Sequence, residues 1–226
     1  MIVSLDMQRM NKIKSVDKVN MTACIEAGIV GSDLEREIRK FGMVLGHEPD
    51  SMEFSTLGGW ISTRASGMKK NAYGNIEDMV LNIRFVTPKG TFQKASEWPR
   101  VSNGPDLNQI ILGSEGNYGV VTEVVLRVRP IPEVTEFSSI VFADFDIGIR
   151  FLDEVARSRS WPASIRVVDN TQFKAAQALN VEQSSYIKNF IEAVKMFYLQ
   201  SIAGFDINKL VGCTIVFEGS RTEVNA

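Results

Sequence analysis

Apolar positions along this chain come in short alternating runs broken by glycine and proline, a texture of brief strands separated by a few helices. In the first half, Ile2–Leu5, Ile13–Val16 and Met21–Ala27 read as strands. Ser32 opens a predicted helix in which Glu35 reaches back as in a capping box; Leu34, Ile38 and Phe41 form its apolar face and Gly42 stops it. Glu35, Arg36, Glu37, Arg39 and Lys40 read as the solvated side of that helix. Met79–Val86 is predicted as a strand, Pro88-Lys89-Gly90 as a turn and Thr91–Lys94 as the returning strand of a hairpin. Leu107–Leu112 is a short helical or buried run, and Val120–Val128 is a long strand ended by Pro130-x-Pro132.

Beyond those prolines Ser138–Phe142 reads as a strand and Asp146–Arg157 as a helix with Ile149, Leu152, Val155 and Ala156 on one face. Ser164–Val168 is a further strand, Asp169 caps a helix running through Gln177, and Leu210–Phe217 is the last strand. Ser184–Ile202 carries Ile187, Phe190, Ile191, Val194 and Tyr198 at helical spacing, and the aromatics Tyr186, Phe190, Phe197 and Tyr198 read as core. The expected fold class is α+β in two units, residues 1–132 and residues 133–226, the second an antiparallel sheet covered by helices.

Composition narrows the functions open to such a fold. With 226 residues, 44% of them hydrophobic, the chain can bury a real core. A net charge of -2 gives no global attraction for nucleic acid or anionic membranes. Cys24 and Cys213 lie in apolar strand-like segments and read as buried thiols, and one His with two Cys leaves too few ligands for a zinc site. No G-x-S-x-G elbow accompanies His47. No apolar run is long enough to span a bilayer and the start does not resemble a signal peptide, so a soluble chain is expected.

The candidate chemistry lies between Gly46 and Val80, where glycines, hydroxyl side chains, Arg64 and the only His crowd together. Gly58, Gly59 and Gly67 let backbone come close to a ligand, and Ser55, Thr56, Ser62, Thr63 and Ser66 supply short donors, the pattern of a wrapped dinucleotide. Leu57–Arg64 is expected to form a short helix presenting free N–H groups to pyrophosphate, with Ser55 and Thr56 at its entrance and Trp60 packed beside it. The alternative is a Gly-Ser-Thr surface loop. The segment Gly113-Ser-Glu-Gly116-Asn-Tyr-Gly119 is not a Rossmann fingerprint: it enters from a helical run and leaves into a strand. His47 reads either as a hydrogen-bonded loop residue or as a proton-handling group, and Arg166 either as an outward strand Arg paired with Asp169 or as a charge-stabilising guanidinium.

The stretches HEPDSMEFSTLGGWISTRASGMKKNAYGNIEDMV, GSEGNYGVVTEVVLRVRPIPE and PASIRVVD resemble the alkyldihydroxyacetonephosphate (alkylglycerone-phosphate) synthases, within the flavoprotein family of vanillyl-alcohol oxidase and p-cresol methylhydroxylase. The resemblance runs from about Ile2 to Glu218 and is strongest from Gly46 to Arg129. It implies the second part of a p-cresol-methylhydroxylase-type FAD-binding domain followed by the start of an α+β cap. It implies non-covalent FAD, held by Asp50, Ser51, Met52, Glu53, Phe54, Ser55 and Thr56, by Thr63, Arg64, Ala65, Ser66, Gly67, Met68 and Lys69, and by Glu115, Gly116, Asn117, Tyr118, Gly119, Val120 and Val121. His47 and Arg166 match catalytic positions, and no metal is implied. The implied reaction exchanges the acyl chain of acyl-dihydroxyacetone phosphate for a fatty alcohol without net redox change, in ether-lipid biosynthesis. A full-length enzyme of this kind is expected to be a peroxisomal homodimer with peripheral membrane association; no targeting signal stands in this sequence.

By the same resemblance, a P-I-G-G-G-T-S type flavin loop is expected upstream of MIVSLDMQRM, and a His-rich motif and catalytic Tyr beyond Ala226. The chain is therefore expected to be an internal piece that alone binds FAD weakly and turns over nothing. Two alternatives stay open: a flavin-dependent D-2-hydroxyacid dehydrogenase, against which Thr63-Arg64-Ala65-Ser66-Gly67 stands in place of an N-A-G-G-type sequence, and a non-catalytic flavin-binding remnant.

Overall fold

The computed structural model describes residues 4–172, 175, 206 and 209–224 and divides the chain into two compact units, Met1–Pro132 and Glu133–Ala226. In the first unit, β1 (Ile13–Asp17), β2 (Thr22–Glu26), β4 (Val80–Thr87), β5 (Gly90–Phe92) and β6 (Val120–Arg127) form one antiparallel sheet in the order β1-β2-β6-β4-β5. Its two ends are local hairpins, while the β2–β6 and β6–β4 pairings bring distant segments together. A separate short pair, β3 (Met43–Val44) with β7 (Arg129–Pro130), anchors the segment that leads to His47. Of the predicted strand Ile2–Leu5, residues 2 and 3 lie outside the described residues and Ser4 and Leu5 are not in a strand.

Helix α1 (Gly31–Arg39) presents Leu34 and Ile38 to the core, both fully buried. Two details differ from the sequence reading. No side chain caps the helix: Val30 stands at the N-cap, and Glu35 is buried and bonded elsewhere instead of reaching back to Ser32. Phe41 lies beyond the last turn and is 41% exposed, because the helix has already ended and Gly42 turns the chain at φ +76°. Short helices α2 (Leu57–Thr63), α3 (Lys70–Tyr73), α4 (Ile76–Met79) and α5 (Asn108–Ile111) complete this unit. Trp60, Ile61, Ile76 and Ile111 from three of them join Ile25, Ile83 and Leu126 of the sheet in one core.

In the second unit β8 (Val134–Phe142), β10 (Val211–Gly219) and β9 (Ser164–Val168) form an antiparallel sheet in the order β8-β10-β9. Helix α6 (Phe145–Ser158) is capped by Asp144, which accepts from Ile147 N at 2.8 Å. The predicted apolar face is only half realised: Leu152 and Val155 are partly covered, while Ile149 is 45% exposed. Gly148 is the buried residue of this helix, and a Cβ there would stand 3.2 Å from Val167 and 3.4 Å from Phe142. Asp169 accepts from Gln172 N at 2.8 Å as a cap, but most of that predicted helix, and all of Ser184–Ile202 with Tyr186, Phe190, Phe197 and Tyr198, lie outside the described residues. The overall class is α+β.

Cys213 is buried as expected, whereas Cys24 is partly exposed; burial nonetheless pushes the Cys24 thiol up to about 12, so it stays protonated. Among the described residues no helix is long and apolar enough to cross a membrane, and no His, Cys, Asp or Glu cluster is arranged for a metal ion.

Candidate functional site

The glycine-rich run forms helix α2 and its flanks. Thr56 adopts extended geometry and its Oγ1 accepts from Gly59 N at 3.3 Å, the ordinary role of a Thr at a helix start. Leu57 N donates to Ile29 O at 3.0 Å and Gly58 N to Ala27 O at 2.7 Å. The first-turn N–H groups expected to face pyrophosphate are thus taken by the protein itself, two by carbonyls and Gly59 N by the Thr56 hydroxyl. Ser55 is engaged too: its Oγ donates to Ser51 O at 2.8 Å and accepts from Trp60 Nε1 at 2.7 Å. A buried N–H without a partner is costly, so a helix start packed inside a domain is satisfied by the fold first.

Backbone surface rather than donors remains for a ligand. A groove of about 260 Å³ is lined by Thr56, Gly58, Gly59 and Ser62 of the α2 region, by Gly116, Gly119, Val120 and Val121 from the loop entering β6, and by Leu5, Met7 and Ala27. The loop is docked onto the end of α2, since Gly113 N donates to Ile61 O at 3.1 Å and Glu115 N to Ser62 O at 2.9 Å. These bonds bring the two glycine motifs together although about fifty residues separate them. A Cβ on Gly59 would meet only Thr56 Oγ1 at 3.5 Å and one on Gly116 would meet nothing within 4 Å, so both glycines leave open space over the groove.

The remaining sequence-predicted cofactor residues are spread around this groove without lining it. Asp50, Ser51, Met52, Glu53 and Phe54 form a turn packed on the start of α1, where Ser32 N donates to Met52 O at 3.1 Å and Gly31 N to Ser55 O at 3.0 Å; Phe54 is 83% exposed. Thr63 bonds back to Gly59 O at 2.9 Å. Arg64 ends α2 in the left-handed region, donates to Gln109 Oε1 at 2.8 Å and stands 3.9 Å from Glu77. Ala65 N donates to Trp60 O at 2.9 Å, and Ser66 and Met68 are exposed. Lys69 is buried, with its ammonium 2.7 Å from Glu48 Oε1. Asn117 bonds Ser114 O at 2.8 Å, and Tyr118 is 59% exposed.

His47 departs most from expectation. It is completely buried, and neither Nδ1 nor Nε2 has a hydrogen-bond partner. Its ring lies edge-on to Trp60, 5.0 Å between centroids, and the Gly67 backbone packs so close that a Cβ there would be 2.8 Å from Nδ1. Burial alone drives its pKa down to about 4, which keeps the imidazole neutral at physiological pH. Arg166 belongs to the second unit, on the exposed side of β9 opposite Thr214.

Comparison with known proteins gives this geometry a family. Residues 1–96 match the model of an FAD binding domain and residues 131–225 that of the C-terminal domain of FAD linked oxidases. The chain is 52% identical over 99% of its length to alkyldihydroxyacetonephosphate synthase of Caenorhabditis elegans, covering 38% of that protein, and 40% identical over 99% of its length to that of Dictyostelium discoideum, covering 36%. A solved structure of alkyldihydroxyacetonephosphate synthase superposes with a TM-score of 0.85 at 40% identity, over 97% of this chain and 39% of the other. The chain thus spans less than two fifths of these relatives' length. Matching in succession the two domains of FAD-linked oxidases, and aligned almost end to end with its synthase members, the chain belongs to this FAD-binding flavoprotein family.

Proposed function

We propose that the protein carrying this chain is an FAD-dependent alkyldihydroxyacetonephosphate synthase, exchanging the acyl chain of acyl-dihydroxyacetone phosphate for a fatty alcohol. The observation that supports it most is identity of 52% carried through 99% of the chain, His47 and Arg166 included in the matched span. The groove residues suit FAD: Gly58, Gly59 and Gly116 offer main chain to an extended cofactor, and α2 and its docked loop hold that surface rigid. When bound, the flavin supplies the reactive ring at which the chain exchange takes place. The incoming alcohol must lose its hydroxyl proton as the ether bond forms, and this reading gives the handling of that proton to His47, whose imidazole burial keeps in the neutral form. Arg166 carries the cationic role in this reading: its planar fork suits an oxyanion better than a lysine ammonium does. The same proposal includes a homodimer, peripheral membrane association and a peroxisomal setting, all resting on resemblance.

The test is direct. The protein carrying this chain, purified with FAD, is given acyl-dihydroxyacetone phosphate and a labelled fatty alcohol. Label in an alkali-stable ether product with stoichiometric release of fatty acid is the expected result. Oxidation of a D-2-hydroxyacid with no ether product overturns the proposal in favour of a dehydrogenase of the same family. Arg166→Lys should lower exchange by about a hundredfold at matched FAD occupancy, the usual effect of losing one preorganised charge-stabilising donor; near-normal exchange would leave Arg166 a structural role only.

A further inference from the structure

No hydrogen bond holds the His47 imidazole, so its place is set by packing and by the main chain that delivers it. That main chain belongs to no strand, for β3 ends at Val44. The buried amides of Leu45 and Gly46 are instead both taken by Oε1 of Glu35, at 3.1 and 2.7 Å, across ten and eleven residues of sequence. Glu35 is itself only 8% exposed, its Oε2 has no hydrogen-bond partner, and the nearest cation is Arg39 Nε at 4.0 Å. A buried carboxylate is an expensive way to satisfy two amides that a neutral side chain would also accept; what charge adds is shorter, stronger bonds and a stiffer turn. The turn itself is tight. Gly46 sits at φ +76°, and a Cβ on it would fall 2.3 Å from the Tyr73 ring. On the other side of His47, Glu48 accepts from Met68 N at 2.8 Å through its carbonyl and from Lys69 Nζ at 2.7 Å through its carboxylate. The histidine is thus suspended between two fixed points, one of them supplied by α1.

We propose that Glu35 is a positioning residue for His47: its buried carboxylate fixes the Leu45–Gly46 turn that aims the imidazole at Trp60 and Gly67, acting through the main chain and touching neither substrate nor flavin. The proposal rests on the reading of His47 as a reacting group for its catalytic consequence, but its structural core is testable without turnover. His47 is the only histidine of this sequence, so selective ¹³C labelling of histidine in the chain gives one imidazole signal to follow.

In the unsubstituted chain that signal should stay in its neutral form down to about pH 4. In Glu35→Ala the turn loosens, water reaches the ring, and the signal should titrate near the ordinary value of about 6.5. Glu35→Gln, which keeps an acceptor for the two amides, should restore most of the low value. Glu35→Asp, one methylene too short to reach both amides, should fall between and serves if the alanine variant does not fold. In the exchange assay, Glu35→Ala should lose about tenfold to a hundredfold in turnover, since small misplacements of a reacting group have effects of that size, with Gln recovering most of it. If Ala or Asp lowers the melting temperature but leaves the folded-state His47 titration unchanged, Glu35 is merely a structural buried acid and the proposal fails. If the titration moves as expected and turnover does not, Glu35 positions His47 but His47 is not the reacting group, which breaks the functional reading and leaves the positioning intact.

Discussion

The entrance of α2 and the pocket of His47 lie a few residues apart in the same polar run, yet the fold treats them oppositely. At the entrance every group that looked available to a ligand is occupied: Leu57 N by Ile29 O, Gly58 N by Ala27 O, Gly59 N by Thr56, and Ser55 by Trp60 and Ser51. In the pocket the one side chain that would ordinarily find a partner has none at either nitrogen. A cluster of Ser, Thr and Gly therefore reads poorly as a set of ligand donors, because short hydroxyls beside buried backbone are claimed by that backbone. An imidazole buried with no protein partner at either nitrogen is costly to the fold and is the better marker of chemistry.

The sharpest way to break this contrast is His47→Ala. If the pocket is kept for chemistry, exchange should fall by about a hundredfold to ten-thousandfold, the range for loss of a general base, while flavin absorbance and fluorescence quenching show FAD still bound. Equal loss of FAD and activity would make His47 part of the cofactor site instead.

A second measurement asks what burying His47 costs the fold. His47 has a folded pKa of about 4 against an ordinary value of about 6.5, so between those pH values the unfolded chain binds a proton that the folded one refuses. Stability then rises with pH across that window: it is complete above about 6.5, declines as pH falls, and levels off below about 4, where the folded imidazole also charges. The shift corresponds to about 3 kcal/mol. Urea denaturation at pH 7 and at pH 4.5 should show His47→Gln losing less stability on acidification than the unsubstituted chain. Parallel declines would mean that water reaches the ring.

Much of the architecture was legible in local pattern. The hairpin around Pro88-Lys89-Gly90 forms as its turn residues predict, because its two strands are neighbours in sequence, and the strand Ser164–Val168 follows its own alternation although its partner β10 lies more than forty residues away. Glu35 was misread for a physical reason: S-x-x-E at a helix start looks the same whether the carboxylate bends back or reaches across to another segment. Its position was the available clue, since Glu35 lies one residue after Leu34 and three before Ile38, on the edge of the buried stripe, where a solvated acid does not belong. The groove was half legible. Its glycines stand out in sequence, but Leu5, Met7 and Ala27 are brought to it by pairing and loop docking that no local pattern records.

Gly46→Ala tests the turn itself. A side chain there would need a left-handed backbone and would collide with Tyr73, 2.3 Å from Cδ1. The expected loss is about 1 to 3 kcal/mol in chemical denaturation, with exchange falling further than FAD binding because His47 moves with the turn. A stable variant with normal exchange would mean that Tyr73 yields and the turn is softer than it looks.

The smallest effect belongs to the other half of the comparison. Thr56→Ala removes the hydroxyl that caps α2 and leaves Gly59 N at the groove without that acceptor. If Thr56 is spent on the helix, stability should fall by about 1 kcal/mol, the ordinary effect of losing an N-cap, while FAD affinity changes less than about twofold. If instead the hydroxyl turns from the helix to hold a pyrophosphate oxygen when the cofactor binds, affinity should fall by about tenfold or more, the size expected for a hydrogen bond to a charged group. Thr56→Ser separates the outcomes further, because it keeps the hydroxyl for either partner and should behave as the unsubstituted chain in both measurements. An affinity loss in Thr56→Ala, rescued by Ser, would show that one member of the entrance serves the ligand after all, and that the fold's claim on its polar groups is weaker there than the hydrogen bonds of the free chain imply.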